Sequence, residues 1–203
     1  MTATTTILIA TGNSGKLREI QALMADLPVT FKTLADFPKL PPAVEDADTF
    51  AENAARKATH YSRLTGLWAL ADDSGLEVDA LNGAPGIRSA RYAGQPTNTA
   101  ANNAKLIDAL KDVPPELRSA RFRCAVALAD GDGILAQASG VLEGRIVDQP
   151  LGHNGFGFDP HFWVPELGMT TAQMPPEQKN KISHRGRALA ALKPRIARLL
   201  PPA

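Results

Sequence analysis

The order of elements in this chain predicts an α/β fold on a mixed sheet with helices on both faces. Three observations carry that reading. A short apolar run, Ile7 to Ala10, feeds a glycine-containing loop and then a stretch with helical spacing. A second apolar run, Leu67 to Leu70, leads into Asp72 and Asp73. Further on, apolar residues alternate with Arg121 and Arg123 and meet a hairpin turn, which makes the middle of the chain antiparallel.

Ile7 to Ala10 has the continuous apolar character of a buried strand, and Leu17, Ile20, Leu23, Met24 and Leu27 follow at helical spacing. Val29 to Thr33 returns as a second strand. Pro38, Pro41 and Pro42 cannot continue regular structure, so a loop carrying Glu45, Asp46 and Asp48 comes next. Thr49 and Glu52 form a capping box, whose hydroxyl and carboxylate satisfy orphan amides, and a helix is predicted from about Phe50 to Thr65, stopping at Gly66. Its exit feeds the strand that ends at the two acids. Asn82-Gly83-Ala84-Pro85-Gly86 is a turn, residues 100–110 read as a helix with Leu106, Ile107 and Leu110 inward, and Pro114 and Pro115 end that element. Ala120, Phe122, Cys124, Val126 and Leu128 keep a period of two, and Asp130-Gly131-Asp132-Gly133 turns the chain into a strand from Ile134 to Val141. The region from Gly152 to Gly157 is glycine-rich. His184 to Leu200 reads as a helix capped by Ser183 and kinked or broken at Pro194. There is no internal repeat, low-complexity tract or linker.

A chain of 203 residues and 21.6 kDa can bury a substantial core as a single α/β domain, so no second domain is required. Hydrophobic residues at 44% and charged residues at 21% exclude a disordered or fibrous protein. A net charge of +1 provides no global field to draw the chain onto nucleic acid, so any polyanion it binds is expected to be small and held locally. Cys124, the single cysteine, excludes an intrachain disulfide and a multi-cysteine metal site and points to a reducing compartment. Met1 to Thr6 shows no basic leader, and nowhere do about 18 apolar residues run together. The cytoplasm is therefore the expected location, with no membrane partner. His60, His153 and His161 are not spaced as a zinc pair.

Asp72 and Asp73 are the most informative pair. Adjacent carboxylates repel, and Mg²⁺ suits them, since it takes one or two carboxylates together with waters and phosphate oxygens. A phosphate ligand becomes the next expectation. Thr11-Gly12-Asn13-Ser14-Gly15-Lys16 offers a cradle: its glycines let backbone amides approach phosphate oxygens, the helix start adds partial positive charge, and Lys16 supplies a point charge. It is not a Walker A loop, which needs four residues between its glycines followed by Lys-Ser/Thr. Taken separately, a strand-to-helix turn accounts for the loop and capping or turn formation accounts for the acids. Together they favour phosphate chemistry.

Five blocks, in order, resemble the inosine triphosphate pyrophosphatases, which remove non-standard purine nucleoside triphosphates such as ITP, dITP and XTP. They are Thr11 to Lys16 with Glu19; Thr49-Phe50-Ala51-Glu52-Asn53-Ala54 with Lys57; Ala71-Asp72-Asp73-Ser74-Gly75-Leu76; Gly83 to Ile87 through Ser89-Ala90-Arg91-Tyr92; and Gly155-Phe156-Gly157-Phe158-Asp159-Pro160 followed by Ser183-His184-Arg185-Gly186. The resemblance extends from about Ile7 to Leu192. It implies a single domain over residues 1–203, two-lobed around a long twisted mixed sheet, with the nucleotide in the cleft and a homodimer as the usual assembly. The implied reaction is Mg²⁺-dependent hydrolysis to the nucleoside monophosphate and pyrophosphate, which cleanses the nucleotide pool.

By the same resemblance Thr11, Gly12, Asn13, Ser14, Gly15 and Lys16 hold the triphosphate, with Ser74 also on the substrate. Glu45 and Asp73 hold the metal, and Asp73 accepts the proton of the attacking water. Water alone has a pKa near 15.7, so a metal that acidifies it and a carboxylate that orients it share the work. Lys16 and Lys57 would stabilise developing phosphoryl charge. Phe156 is placed to stack on the purine, and Gly157, Phe158, Asp159, Lys179, His184 and Arg185 match positions lining the nucleotide pocket. Hypoxanthine and xanthine carry a carbonyl at C6 where adenine carries an amino group, so donors such as His184 and Arg185 pair with the first two and face a donor in the third. An unpaired buried donor costs about 1–3 kcal/mol. Guanine shares the carbonyl, so its rejection must come from the 2-amino group. Phe158 departs from the family, many of whose members have tyrosine or tryptophan there, and a hydrogen bond from this position is lost.

Two further readings belong to other classes. A non-hydrolytic nucleotide sensor would use the same cradle, but a binder gains nothing from an extra repulsive carboxylate. A phosphotransferase is disfavoured because no Walker A or kinase-like set of residues is present.

Overall fold

The computed structural model describes residues 5–201; the first four residues, part of the stretch read for a leader, and the last two lie outside the described residues. Seven strands form one mixed sheet in the order β2-β1-β3-β4-β5-β6-β7, with helices packed on it. The α/β class read from the sequence is the one observed. Contacts within the chain divide it into two compact units: the described parts of Met1–Asp73, Cys124–Gly140 and Arg185–Ala203, and Ser74–Arg123 with Val141–His184.

In the first unit β1 (Thr6–Ile9) pairs in parallel with β2 (Thr30–Thr33) and with β3 (Trp68–Val78). Alternation along β1 shows why helices cover both faces. Ile7 and Ile9 pack with Ile20 and Met24 of α1 (Ser14–Met24) and with Leu189, Leu192 and Ile196 of α5 (His184–Leu199). Leu8, one residue out of phase, packs with Ala54, Ala58 and Tyr61 of α2 (Phe50–Thr65). Each large apolar side chain buried this way contributes about 1.5–3 kcal/mol.

The α2 helix has the predicted bounds. Thr49 Oγ1 accepts the Glu52 amide at 3.2 Å, Gly66 ends the helix at φ 66°, and the Glu52 carboxylate accepts the Thr49 hydroxyl at 3.1 Å in place of the backbone amide that the capping box predicts. Helix α5 is continuous through Pro194, so the break that the sequence allowed for there does not occur. Proline in a helix costs about 3 kcal/mol. Leu189 and Leu192 before it and Ile196 after it are all fully buried, and together they outweigh that cost.

The second unit has its own core, in which Leu76 and Val78 of β3, Phe122 of β4 (Ser119–Asp130) and Leu142 and Ile146 of β5 (Gly133–Ile146) surround Leu106 of α3 (Thr99–Ala109). The predicted alternation holds through Arg123. Beyond it Ala125, Ala127 and Ala129 are buried as well, because helices there cover both faces. Strand β5 extends past the predicted Val141 to Ile146. The sequence reading placed no element at β6 (Phe162–Val164), β7 (Met169–Thr170) or α4 (Pro176–Ile182), each too short to show a period. Strand β3 also differs: it was expected to end at the acids and instead continues five residues past Asp73, drawn on by the fully buried Leu76 and Val78.

Candidate active site

In the first unit the cradle leads into α1. Asn13 caps the helix, its Oδ1 accepting the Lys16 amide at 3.0 Å, and Thr11 Oγ1 accepts the Asn13 amide at 3.2 Å. Thr11 and Gly15 are buried, whereas Gly12, Asn13 and Ser14 are exposed, and a Cβ on Gly12 would meet nothing within 4 Å. The residues that lead into this eleven-residue helix, Gly12, Asn13 and Ser14, are thus at the surface, where an anion can approach the helix start.

Asp72 and Asp73 are neighbours in sequence, but on a strand they point to opposite faces. Asp72, fully buried, looks toward α1 and α5. Its Oδ2 accepts Lys16 Nζ at 3.1 Å and Arg185 Nε and Nη2 at 3.2 and 3.0 Å, while Arg185 Nη1 bonds Glu19. Burial pushes the Asp72 carboxyl up, but Lys16, Arg185 and Lys57 together hold it well below the usual carboxylate range. Mutual repulsion is thus relieved largely by protein cations on this side. Cys124 Sγ lies 4.0 Å from Asp72 Oδ2, and burial, followed by that charge, pushes the thiol up to about 12, so it is inert.

Asp73 looks toward α2 and the loop before it. Burial pushes its carboxyl up, Lys16 and Lys57 pull it back, and the like charge of Glu45 raises it again. Lys57 Nζ pairs with Glu45 Oε2 at 2.5 Å and donates to the Asp72 carbonyl at 3.0 Å. Burial lowers the Lys57 pKa, but Asp72 and Glu45 more than restore it, so it stays charged. Asp73, its carboxyl raised in part by the like charge of Glu45, forms with that residue a hard oxygen pair of the type that suits a divalent cation. No group of three or more His, Cys, Asp or Glu able to enclose a metal occurs among the described residues, so such an ion would complete its shell with waters and phosphate oxygens.

In the second unit Phe156, Gly157, Phe158, Asp159, Lys179 and His184 fall into one region, and Ser74 opens the unit on β3. Asp159, 2% exposed, is its hub. Asp159 Oδ2 accepts the Phe156 amide at 2.7 Å and Lys179 Nζ at 2.6 Å, and Oδ1 accepts the Thr171 hydroxyl at 2.7 Å. Lys179 Nζ lies 4.9 Å from the centre of the Phe156 ring. Gly155 closes the turn at φ +74°, where a Cβ would stand 2.0 Å from Asp159 Oδ2. Phe158 is packed in the core of this unit. Gly157 offers its carbonyl to Asn103 Nδ2 at 3.2 Å, and His184 stacks on Phe122 at 4.8 Å and 21°. Arg185, bonded to His184 in the chain, belongs to the first unit with Asp72 and Glu19.

Sequence reasoning did not single out Asn53, which is buried between loop and strand, or Thr171 and Phe122. An amide inside the first turn of an amphipathic helix was the available signal for Asn53, and a phenylalanine on the inward phase of a strand for Phe122.

An α/β fold with a helix-start cradle and paired acids defines a phosphate-handling protein. Residues 7–195 match the Ham1 family, and the chain belongs to it. A dITP/XTP pyrophosphatase of Geobacter sulfurreducens is 54% identical over 189 residues, covering 93% of this chain and 95% of the relative. Among solved structures, a HAM1 protein from Coxiella burnetii superposes with a TM-score of 0.86 at 43% identity, over 96% of this chain and 99% of that one. A nucleoside-triphosphatase / dITP/XTP pyrophosphatase from Mycobacterium abscessus superposes with a TM-score of 0.74 at 42% identity, over 94% and 99%.

Proposed function

We propose that this chain hydrolyses non-standard purine nucleoside triphosphates, ITP, dITP and XTP, to the nucleoside monophosphate and pyrophosphate. The relatives named above support the reaction, and the observation that carries it here is Asp73: a buried carboxylate beside Glu45, within the fields of Lys16 and Lys57. Thr11, Gly12, Asn13, Ser14, Gly15 and Lys16 are assigned to the triphosphate, with Ser74. Amides of the α1 start and the Lys16 ammonium would oppose its charge. Asp73 would orient the attacking water and take its proton, and a carboxyl held above its ordinary pKa is the better base for that work. Glu45 and Asp73 are assigned to Mg²⁺, which when bound acidifies water and neutralises phosphate charge.

Phe156, Gly157, Phe158, Asp159, Lys179 and His184 are assigned to the nucleoside, and with them Arg185, although its guanidinium is buried and bonded to Asp72 and Glu19. The flat Phe156 ring suits stacking, and cationic or N–H donors suit a 6-oxo group better than a 6-amino group. In this reading the chain serves one reaction as a single pyrophosphatase domain, works as a homodimer and acts in the cytoplasm, which the lone inert cysteine supports. No helix among the described residues is long and apolar enough to cross a membrane.

Purified protein assayed with dITP, XTP, dATP and dGTP tests the proposal. Pyrophosphate should appear chiefly with the first two; release of orthophosphate, or turnover only with an acceptor, overturns it.

A further inference from the structure

Asn53 is 1% exposed in the first turn of α2. Asparagine is a poor helix former, and a buried amide is unfavourable unless its donors and acceptor are used. They are used for two purposes. Oδ1 accepts the Ala47 amide at 3.0 Å and Nδ2 approaches the Ala47 carbonyl at 3.5 Å. The same side chain hydrogen-bonds the Asp73 carboxylate. A backbone amide only donates and a carboxylate only accepts, so the oxygen faces Ala47 and the NH₂ faces Asp73, which fixes the orientation of the amide. Ala47 is itself buried, two residues after Glu45. One side chain therefore ties the loop that carries Glu45 to the strand that carries Asp73. His60 Nε2 at 2.9 Å from the Pro41 carbonyl and the exposed Arg56–Asp46 pair also hold this loop to α2, Lys57 joins Glu45 to the Asp72 carbonyl, and Asn53 extends the hold to the Asp73 side chain.

We infer that Asn53 is a positioning residue that sets the separation of the Glu45 and Asp73 carboxylates, so that the pair is a ready seat for a divalent cation before substrate arrives. This rests on the proposed metal role of the two acids. Pre-set geometry is worth a great deal in catalysis, and a misplacement of about 1 Å can cost about 10²-fold in rate.

Asn53→Ala should lower kcat for dITP about 10²-fold with KM changed less than about threefold, and weaken Mg²⁺ binding to the nucleotide-free protein about tenfold by calorimetry. Hydrogen exchange of the Ala47 amide should become fast. Asn53→Asp keeps an acceptor for Ala47 but sets a carboxylate against Asp73, so kcat should fall while Ala47 stays protected. It also carries the test if Asn53→Ala does not fold. Unchanged Ala47 protection in Asn53→Ala overturns the inference, and so do wild-type kcat and Mg²⁺ affinity in either variant. Wild-type turnover of dITP reports on the proposed function separately, since the exchange and calorimetric results need no substrate.

Discussion

The two compact units treat buried charge differently. In the first unit three cations, Lys16, Arg185 and Lys57, act on Asp72, and a second acid, Asp73, stands beside Glu45 with its carboxyl raised. In the second unit one buried pair, Lys179 with Asp159, is joined to a backbone amide and a hydroxyl and serves to shape a glycine turn. The difference suits the two tasks proposed for these residues. A polyphosphate and its metal need charge kept slightly out of balance, so that ligand binding completes it. A flat base needs a firm surface, which a closed, satisfied network supplies.

Asp73→Asn should break the comparison hardest. Turnover of dITP should fall about 10²–10⁴-fold, the range for losing a positioned general base. Stability should move the other way. The Asp73 carboxyl has a raised pKa in the folded state, so its protonated form favours folding below its ordinary value of 3.8, and that contribution is lost as pH rises through the folded pKa. At neutral pH the metal-free variant should therefore melt higher than wild type, with the gap closing as pH falls toward 3.8. A metal-free variant that melts lower at pH 7 would mean that the charged carboxylate stabilises the fold.

Asp72→Asn should show the opposite balance. Removing one partner of a buried ionic network takes the shared carboxylate from Lys16 and Arg185 and leaves Glu19 as the guanidinium's remaining acid, a loss of roughly 3–5 kcal/mol. That is on the order of 10 °C in Tm for a chain of this size. The Asp72 carboxyl is depressed, so its contribution is present above pH 3.8 and is lost only as pH falls through the still lower folded value. Thermal melts from pH 7 down to pH 4 should thus show a nearly constant gap between variant and wild type. A gap that closes before pH 4 would place the carboxylate outside the network.

Much of the fold was legible because local signals agreed with it. The cap at Thr49, the stop at Gly66 and the period of two in β4 each have a cause within a few residues. The short β6, β7 and α4 show no period, and the bounds of the two strands are set by pairings such as Trp163 with Arg145 and Thr170. The Asp72–Asp73 pair was visible, but its division of labour was not. That division depends on β3 continuing past the acids, so that one side chain faces the cations of α1 and α5 and the other faces α2. Asn53 was hidden for a similar reason: its partners Ala47 and Asp73 come together only when loop, helix and strand are assembled.

The smallest expected effect sharpens the other side of the comparison. Gly155→Ala adds one carbon where φ is +74° and where Asp159 Oδ2 would stand 2.0 Å away. The left-handed backbone alone costs about 1–2 kcal/mol for a residue with a Cβ. Asp159 must also shift, and with it the Lys179 ammonium under the Phe156 ring and the Phe156 amide. If this turn only shapes the stacking surface, the loss falls on binding shared by ground state and transition state. KM for dITP should then rise severalfold while kcat stays within about twofold. Steady-state kinetics with dITP decides it: a kcat lowered tenfold at unchanged KM would mean that the second unit takes part in the chemical step, and the contrast between a charged site and a shaped one would have to be abandoned.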